Sequence, residues 1–235
     1  YSTPGWGSIE KKVSERQRDT QKSFDFSTSM ELGQFFGNKM KIQIPFMYSY
    51  SAAAIDPQYD LNAPDVRLSD YTDITTRQEK ARLSRDITIR RSYNFTNVRR
   101  ERPAGKPVHF WDVENLSATY SYNELYMRDI NTDHDLTKTY RGGLDYVFSG
   151  KPIEVTPFKN NKFLKKSKWF GLLTEFNFNL GPKSVAFSSE LTRMYNERQN
   201  RNPLDTNFIF QPTYLKNFTW VRNYDVKYDL SKQLK

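Results

Sequence analysis

Long segments in which apolar and polar residues alternate are the feature of this sequence that most limits how it can fold. A period of two predicts β-strands with one apolar face and one polar face. Strands of soluble proteins usually have about 5–6 residues, whereas a tilted strand needs about 9–11 to cross the hydrocarbon core of a membrane. Because the alternating segments run over roughly 10–14 residues, they favour transmembrane strands.

Eight segments carry this alternation, and two of them form the arms of a predicted hairpin that turns at Gly181-Pro182. The sequence therefore predicts an all-β fold, an antiparallel up-and-down transmembrane β-barrel of which this chain is an arc of about eight long strands. Pro45 lies inside the second segment and predicts a bulge or a sheet edge there. The segments are residues 21–32, 39–50, 86–98, 113–126, 138–149, 169–180, 184–196 and 217–230.

We predict one domain over residues 1–235, with residues 1–20 as a connector. The connections between strands are rich in Lys, Arg, Asn and Pro, and "QEKARLSRD" in the longest of them predicts a short helix. The chain lacks an initiating Met and a signal peptide, so we expect a piece of a longer protein. The predicted loops are residues 51–85, 99–112, 150–167 and 197–216.

The two faces of the predicted strands differ in chemistry, and a membrane barrel would turn the apolar face to lipid and the polar face to an aqueous lumen. The residues predicted to face lipid are Phe24, Phe26, Ile42, Ile44, Phe46, Tyr146, Phe148, Leu172, Phe176, Phe178, Phe187, Trp220, Tyr224 and Tyr228. The residues predicted to face the lumen are Asp25, Glu31, Glu175, Asn177, Glu190, Asp225, Lys227 and Asp229.

Composition excludes a helical membrane protein, since the mean hydropathy is −0.82 and no run of about 18 apolar residues exists. A barrel strand remains compatible, because it needs apolar residues only at alternate positions. The formal net charge of +9 is spread over loops and turns rather than gathered in one stripe. Nucleic acid is therefore not among the partners we expect.

Candidate chemical sites are sparse. "DINTDHD" (residues 129–135) resembles the start of a calcium loop but has His134 where glycine is required, so we predict a solvated hairpin turn. With two histidines and no cysteine, no zinc site of the usual kind is expected. No nucleophile elbow occurs. We therefore predict no metal, no cofactor and no enzymatic activity. The basic, aromatic segment at residues 159–170 could bind phosphate, but a loop at a membrane surface or lumen is favoured.

Several stretches of the chain resemble one family, the SprA (Sov) family, which forms giant outer-membrane translocon barrels of the type 9 secretion system of Bacteroidetes. The likeness extends from about Trp6 to Lys235. It is carried by "TPGWGSIEKKVSERQRDTQKSFDFSTSMELGQFF", "RRSYNFTNVRRE", "DVENLSATYSYNE", "YRGGLDYVFSGKP" and "FIFQPTYLKNFTWVRNYDVKYDLSKQLK". The resemblance implies that the chain is an internal segment of a far longer barrel in the bacterial outer membrane.

The resemblance also implies a function. Such a barrel is a passive channel that exports folded cargo with C-terminal sorting domains, including gliding-motility adhesins. The implied partners are the remaining strands of the parent barrel, a PorV-like outer-membrane protein, a periplasmic plug protein, the cargo and membrane lipid. The residues alone leave two alternatives open, which are another outer-membrane barrel (a receptor or porin) and a soluble basic β-domain that binds glycan or nucleic acid.

Overall fold

The computed structural model describes residues 19–37, 40–60, 62–151, 153–157, 177–202 and 208–231. Within these residues most of the chain is strand, with one α-helix, α1 (Ile74–Ser84), and three short 3-10 helices in the connections. The strands are β1 (Asp19–Glu31), β2 (Ile42–Gln43), β3 (Pro45–Pro57), β4 (Tyr59–Asp60), β5 (Ala63–Arg67), β6 (Asp86–Arg100), β7 (Leu116–Arg128), β8 (Thr132–Ser149), β9 (Ile153–Val155), β10 (Phe178–Leu180), β11 (Ser184–Asn200) and β12 (Thr213–Lys227).

The long strands form one antiparallel sheet in the order β1-β3-β6-β7-β8-β11-β12, and the short strand β2 pairs with β6 as its eighth member. This order follows the chain, so each long strand lies beside the long strand that precedes it in the sequence, as in an up-and-down barrel. The sheet is open, with β1 and β12 as its edges. The predicted all-β, antiparallel arc of eight strands is thus confirmed.

The long strands alternate in direction, which gathers their connections at two rims. The described residues of connections 32–44, 101–115 and 150–183 lie at the first rim, and those of connections 58–85, 129–131 and 201–212 lie at the second rim. Among the described residues, no helix has the length and apolar character needed to cross a membrane.

The predicted hairpin across Gly181-Pro182 is wrong. Strand β11 has β8 on one side and β12 on the other, so both of its edges are occupied. The described end of the predicted sixth strand, Phe178–Leu180, pairs instead with Ile153–Val155 in a separate two-stranded sheet. The alternating pattern identified apolar faces correctly but could not show which strands pair, because pairing depends on contacts far apart in the sequence.

Strand β3 also differs from the sequence expectation, because it runs to Pro57 through the start of the predicted loop 51–85. Its continuation is Ser51-Ala52-Ala53-Ala54-Ile55, and serine and alanine give a weak strand signal. Pairing with β1 and β6 on both sides stabilises this segment as strand. The predicted short helix is present as α1, whose N-terminal amides at Thr75 and Thr76 donate to the Asp73 carboxylate.

The sheet forms a single layer. Leu68, at 7% exposure, is the one buried large apolar side chain among the described residues, and it lies in the connection 58–85 rather than in the sheet. The chain exposes 17455 Å² of accessible surface, whereas a compact monomer of this mass would expose about 11,000 Å². Among the described residues no second layer covers either face, so this part of the chain lacks the core that stabilises a soluble sandwich.

Candidate functional site in the two faces of the sheet

One face of the sheet is aromatic, and we call it the aromatic face. Antiparallel register places Tyr48, Tyr93, Tyr122 and Tyr140 side by side across β3, β6, β7 and β8. Their ring centroids are 5.0, 5.9 and 4.9 Å apart, within the range of favourable aromatic pairs. The next row contains Phe46, Phe95 and Tyr120, at 4.8 and 6.5 Å. The first aromatic row thus extends over four strands and the second over three.

The opposite face is rich in hydroxyl and amide side chains, and we call it the polar face. Neighbouring side chains bond along it, as when Ser92 Oγ donates to Asn123 Oδ1 at 2.8 Å and Asn196 Nδ2 donates to Thr137 Oγ1 at 2.8 Å. Its hydroxyl and amide residues include Ser23, Ser27, Ser29, Ser49, Ser51, Thr88, Ser92, Asn94, Ser117, Thr119, Ser121, Asn123, Thr137, Thr139, Ser188, Thr192, Asn196, Asn217, Thr219 and Asn223.

Most residues predicted to face lipid fall on the aromatic face. The register brings together Phe24, Phe26, Phe46, Tyr146, Phe148, Phe187, Trp220 and Tyr224.

Four other predicted lipid-facing residues lie outside the long strands. Ile42 is in β2 opposite Arg100, and the Ile44 carbonyl accepts a hydrogen bond from Leu32 N at 2.9 Å. Phe178 is in β10, and the Tyr228 hydroxyl donates to Asn179 O at 2.6 Å. The remaining two, Leu172 and Phe176, are outside the described residues.

The residues predicted to face the lumen divide in the same way. The register places Asp25, Glu31, Glu190, Asp225 and Lys227 on the polar face. Asn177 precedes β10 and Asp229 follows β12, where its carboxylate lies 3.1 Å from Lys183 Nζ. Glu175 is outside the described residues.

Two more of these carboxylates have partners in the fold. Glu190 pairs with Arg141 across β8 and β11 at 2.6 Å. The Glu31 carboxylate accepts from the backbone amides of Gly33 and Ile44, so it fixes the chain reversal between β1 and β3.

Charged residues are also present on the aromatic face. One row contains Arg91, Glu124 and Lys138 on three adjacent strands, with Arg91 3.4 Å from Glu124. Between this row and the first rim, β6, β7 and β8 present no charged side chain on the aromatic face before Arg100 at the end of β6. On β11 and β12, by contrast, Arg193 and Arg222 interrupt the aromatic face. Arg222 lies over the Trp220 ring, 4.2 Å from its centroid.

The connection 101–115 folds over the first-rim end of the aromatic face. The Phe110 ring contacts Tyr146 and Phe148, with centroids 5.5 and 5.6 Å apart. The Asp112 carboxylate holds this loop by accepting from His109 N at 2.9 Å and by pairing with Arg102 at 3.3 Å. The hydrogen bond from the His109 amide, aided by the charges of Lys106, His109 and Arg102, keeps the pKa of Asp112 below its ordinary value although burial acts to raise it.

The connection 58–85 is fixed at the second rim by a buried carboxylate. Asp60 is 1% exposed and accepts from Lys80 Nζ at 2.7 Å, from Tyr71 Oη at 2.6 Å and from Asn62 N at 3.0 Å. Burial alone would raise the pKa of Asp60, but these three hydrogen bonds outweigh it, so the pKa is lowered. The Asp60–Lys80 pair attaches α1 to the β4–β5 hairpin.

The calcium-like segment 129–135 forms a hairpin turn, as predicted. Asp129 Oδ1 accepts from the backbone amides of Asn131 and Thr132 at 2.8 and 2.7 Å, which closes the turn between β7 and β8. His134 lies 3.3 Å from Glu197, and His109 stacks on Trp111 at 5.2 Å. The described part of the chain holds no group of three or more His, Cys, Asp or Glu residues arranged for a metal ion.

Sequence reasoning left out most of the hydroxyl and amide residues of the polar face, because all but one of the residues it predicted to face the lumen were charged, the exception being Asn177. The sequence does show these residues, because hydroxyl and amide side chains occupy alternate positions of the strands, such as Ser117, Thr119, Ser121 and Asn123 of β7. It also missed the packing of Phe110 on the sheet, which depends on a loop conformation that alternation does not report.

The geometry defines a class of protein: a single-layer antiparallel sheet with one aromatic face, one polar face and two open edges, as in a segment of a large barrel wall. Residues 1–71 match the SprA_N family model, described as a motility related/secretion protein. This match to the first 71 residues of the chain supports the sequence resemblance to the SprA family. The name of the model denotes the amino-terminal region of that family, which corrects the expectation of an internal segment. No curated protein matches the chain.

Proposed function

We propose that this sheet is part of the wall of an outer-membrane protein-conducting channel of a type 9 secretion system. In this proposal the aromatic face contacts lipid and the polar face lines an aqueous lumen through which folded cargo, including gliding-motility adhesins, is exported. The observation that carries the proposal is the single sheet layer whose two uncovered faces differ so sharply in chemistry.

Lipid contact explains why an aromatic face can remain without a protein layer against it. A strand can lie in hydrocarbon when its backbone groups are paired with neighbouring strands, and each strand between β1 and β12 is paired on both sides. In water, the same exposed rings would create an apolar patch far larger than soluble monomers carry. The family match to a motility and secretion protein supports a place in a secretion machine.

The polar face is suited to contact with water and passing protein. Hydroxyl and amide groups are well hydrated, and the charges among them are of both signs, for example Arg141 with Glu190 and Asp225 near Lys227. Such a surface has no broad apolar area to retain a folded cargo protein. Transport of this kind requires no bond-making step by the protein, so the proposal includes no enzymatic activity.

The sheet edges require further strands. All fifteen residues of β12 are exposed, and its outer edge presents unpaired backbone groups that would otherwise recruit other chains. We propose that strands of the parent barrel cover the edges of β1 and β12. The other proposed partners follow from the family resemblance and are a PorV-like outer-membrane protein, a periplasmic plug protein and cargo with a C-terminal sorting domain.

Site-specific photo-crosslinking during export tests this function. A photoreactive phenylalanine analogue would replace Ser188 or Thr192 on the polar face of β11, in the full-length protein in secreting cells. Matched controls carry it at Phe187 or Leu191, the preceding residues on the aromatic face of the same strand. Crosslinks to a secreted protein bearing a sorting domain should form from positions 188 and 192 and be at least ten times weaker from 187 and 191. Equal crosslinking from both faces, or cargo only at 187 and 191, would refute the channel wall.

A further inference from the structure

We infer that Trp111, held by the connection 101–115, contacts the headgroup region of the bilayer at the first rim and fixes the depth of β6, β7 and β8 in the membrane. This inference rests on the proposed lipid contact of the aromatic face. It adds a lipid-contacting residue outside the strands, on a loop for which the sequence predicted no role.

The loop holds Trp111 in one place. The Phe110 ring packs on Tyr146 and Phe148, and the Tyr146 hydroxyl donates to the Phe110 carbonyl. The side-chain amide of Asn115, which is 8% exposed, donates to His109 O at 2.8 Å, and Arg102 donates to Asn115 Oδ1 at 2.7 Å. These contacts fix both sides of the turn that presents the indole.

Trp111 itself is left out of this packing. It is 79% exposed, and its one aromatic neighbour among the described residues is the His109 ring, which stacks on it at 5.2 Å and 17°. A tryptophan fixed on an ordered loop and left exposed suits the membrane interface, where an amphipathic ring contacts both acyl chains and water. Because Phe110 packs on the aromatic face, Trp111 beside it in the chain is held at the first-rim end of the surface that we propose contacts lipid.

The aromatic face of β6, β7 and β8 has an uncharged band, which is the part between the row of Arg91, Glu124 and Lys138 and the first rim. The height of this band places the connection 101–115 at its border. On the aromatic face of β8, Lys138 is the last charged residue, and Tyr140, Gly142, Leu144, Tyr146 and Phe148 follow it. Lys138 and Phe148 are ten residues apart, which corresponds to about 33 Å along a strand. A tilt of about 40° reduces this length to about 25 Å along the membrane normal, which equals the height of the apolar band of outer-membrane barrels. The charged row then lies at one interface, and Phe110 and Trp111 lie at the other.

Spin-label accessibility in proteoliposomes tests the inference. A nitroxide would be attached to single cysteines introduced at Trp111, Tyr120 and Gln78 in a cysteine-free version of the full-length protein. Tyr120 lies within the uncharged band of the aromatic face, and Gln78 is exposed on α1. Power saturation with oxygen and with a water-soluble nickel chelate gives the depth of each label. We expect position 120 to be deep, position 78 to be aqueous and position 111 to have an intermediate depth at the phosphate level.

The possible outcomes distinguish the interfacial position of Trp111 from the lipid contact of the aromatic face. If position 120 is deep while position 111 matches the aqueous label at 78, the inference fails and the lipid-facing aromatic face stands. If position 111 is inaccessible to both reagents, a protein partner covers it, and the inference also fails. If position 120 is as accessible to the nickel chelate as position 78, the proposed function fails together with the inference.

A second variant tests whether Phe110 positions the loop. Phe110→Ala removes the ring that contacts Tyr146 and Phe148, so the label at 111 should move to the aqueous depth of the label at 78. Val108→Ala in the same connection serves as the control and should leave the depth unchanged. An unchanged depth in Phe110→Ala would contradict the positioning role.

Discussion

Tyr122 of β7 and Tyr140 of β8 face each other across the sheet, with ring centroids 4.9 Å apart and planes inclined by 50°. They are the last pair in a row of four tyrosines that begins at Tyr48. We expect their coupling to stabilise the pairing of β7 with β8 by about 0.5–1.5 kcal/mol beyond the burial of area. A double-mutant cycle with Tyr122→Leu and Tyr140→Leu, read by amide hydrogen exchange in β7 and β8, measures it. Strictly additive effects would show that the rings do not interact.

Gly33 is required for the tight reversal between β1 and β3. A Cβ at this residue would overlap the Ile42 carbonyl oxygen and lie 2.8 Å from Glu31 Oε1. We expect Gly33→Ala to destabilise the connection 32–44 by about 1–3 kcal/mol, seen as faster amide exchange there.

Gly142→Ala is the matched control for this substitution. A Cβ at Gly142, within β8, meets no atom within 4 Å. This change should be neutral or stabilising by up to about 1 kcal/mol, because alanine costs less conformational entropy than glycine in a strand. Similar exchange rates in the two variants would contradict the assigned role of Gly33.

The Asp60–Lys80 pair makes the docking of α1 depend on pH. The pKa of Asp60 is lowered in the folded state, so its ion pair with Lys80 stabilises the docking of α1 fully above the ordinary pKa of 3.8. This stabilisation is lost as the pH falls through the lower folded-state pKa. A nitroxide at Gln78 should therefore become more mobile only below pH 3.8.

Asp60→Asn supplies the control for the pH effect. It leaves an oxygen for Tyr71 and removes the charge that pairs with Lys80, so α1 should be less stable at neutral pH by about 2–3 kcal/mol. The increase in the mobility of the Gln78 nitroxide in acid should also disappear. A step of the same size in Asp60→Asn would assign the pH dependence to another group.

The sequence predicted the composition of each face well, because alternation is a local property that the pleat of a strand converts directly into two faces. It predicted Phe24, Phe187 and Trp220 to lie on one face and Asp25 and Lys227 on the other, and the register agrees. Pairing could not be predicted in the same way. The position of β11 beside β8, with the whole connection 150–183 between them, reflects contacts distant in sequence.

Contacts at the rims also join residues that are far apart in the sequence, so alternation could not predict them. The buried carboxylate of Asp60 looks like an ordinary loop residue in the sequence, and its importance comes from Tyr71 and Lys80, which the fold brings to it. The interruption of the aromatic face at Arg193 and Arg222, by contrast, could be predicted from alternation, because each arginine is two residues from an apolar residue of that face; strand pairing adds only their position beside the tyrosine rows.

Cysteine accessibility along β8 tests most directly whether the aromatic face contacts lipid and the polar face contacts water. Single cysteines from residue 139 to residue 147 in the full-length protein, in native outer membranes, would be reacted with a membrane-impermeant maleimide. We predict labelling at Thr139, Arg141, Gly143, Asp145 and Val147, and protection at Tyr140, Gly142, Leu144 and Tyr146. Uniform labelling, or labelling of the even-numbered positions alone, would contradict the account.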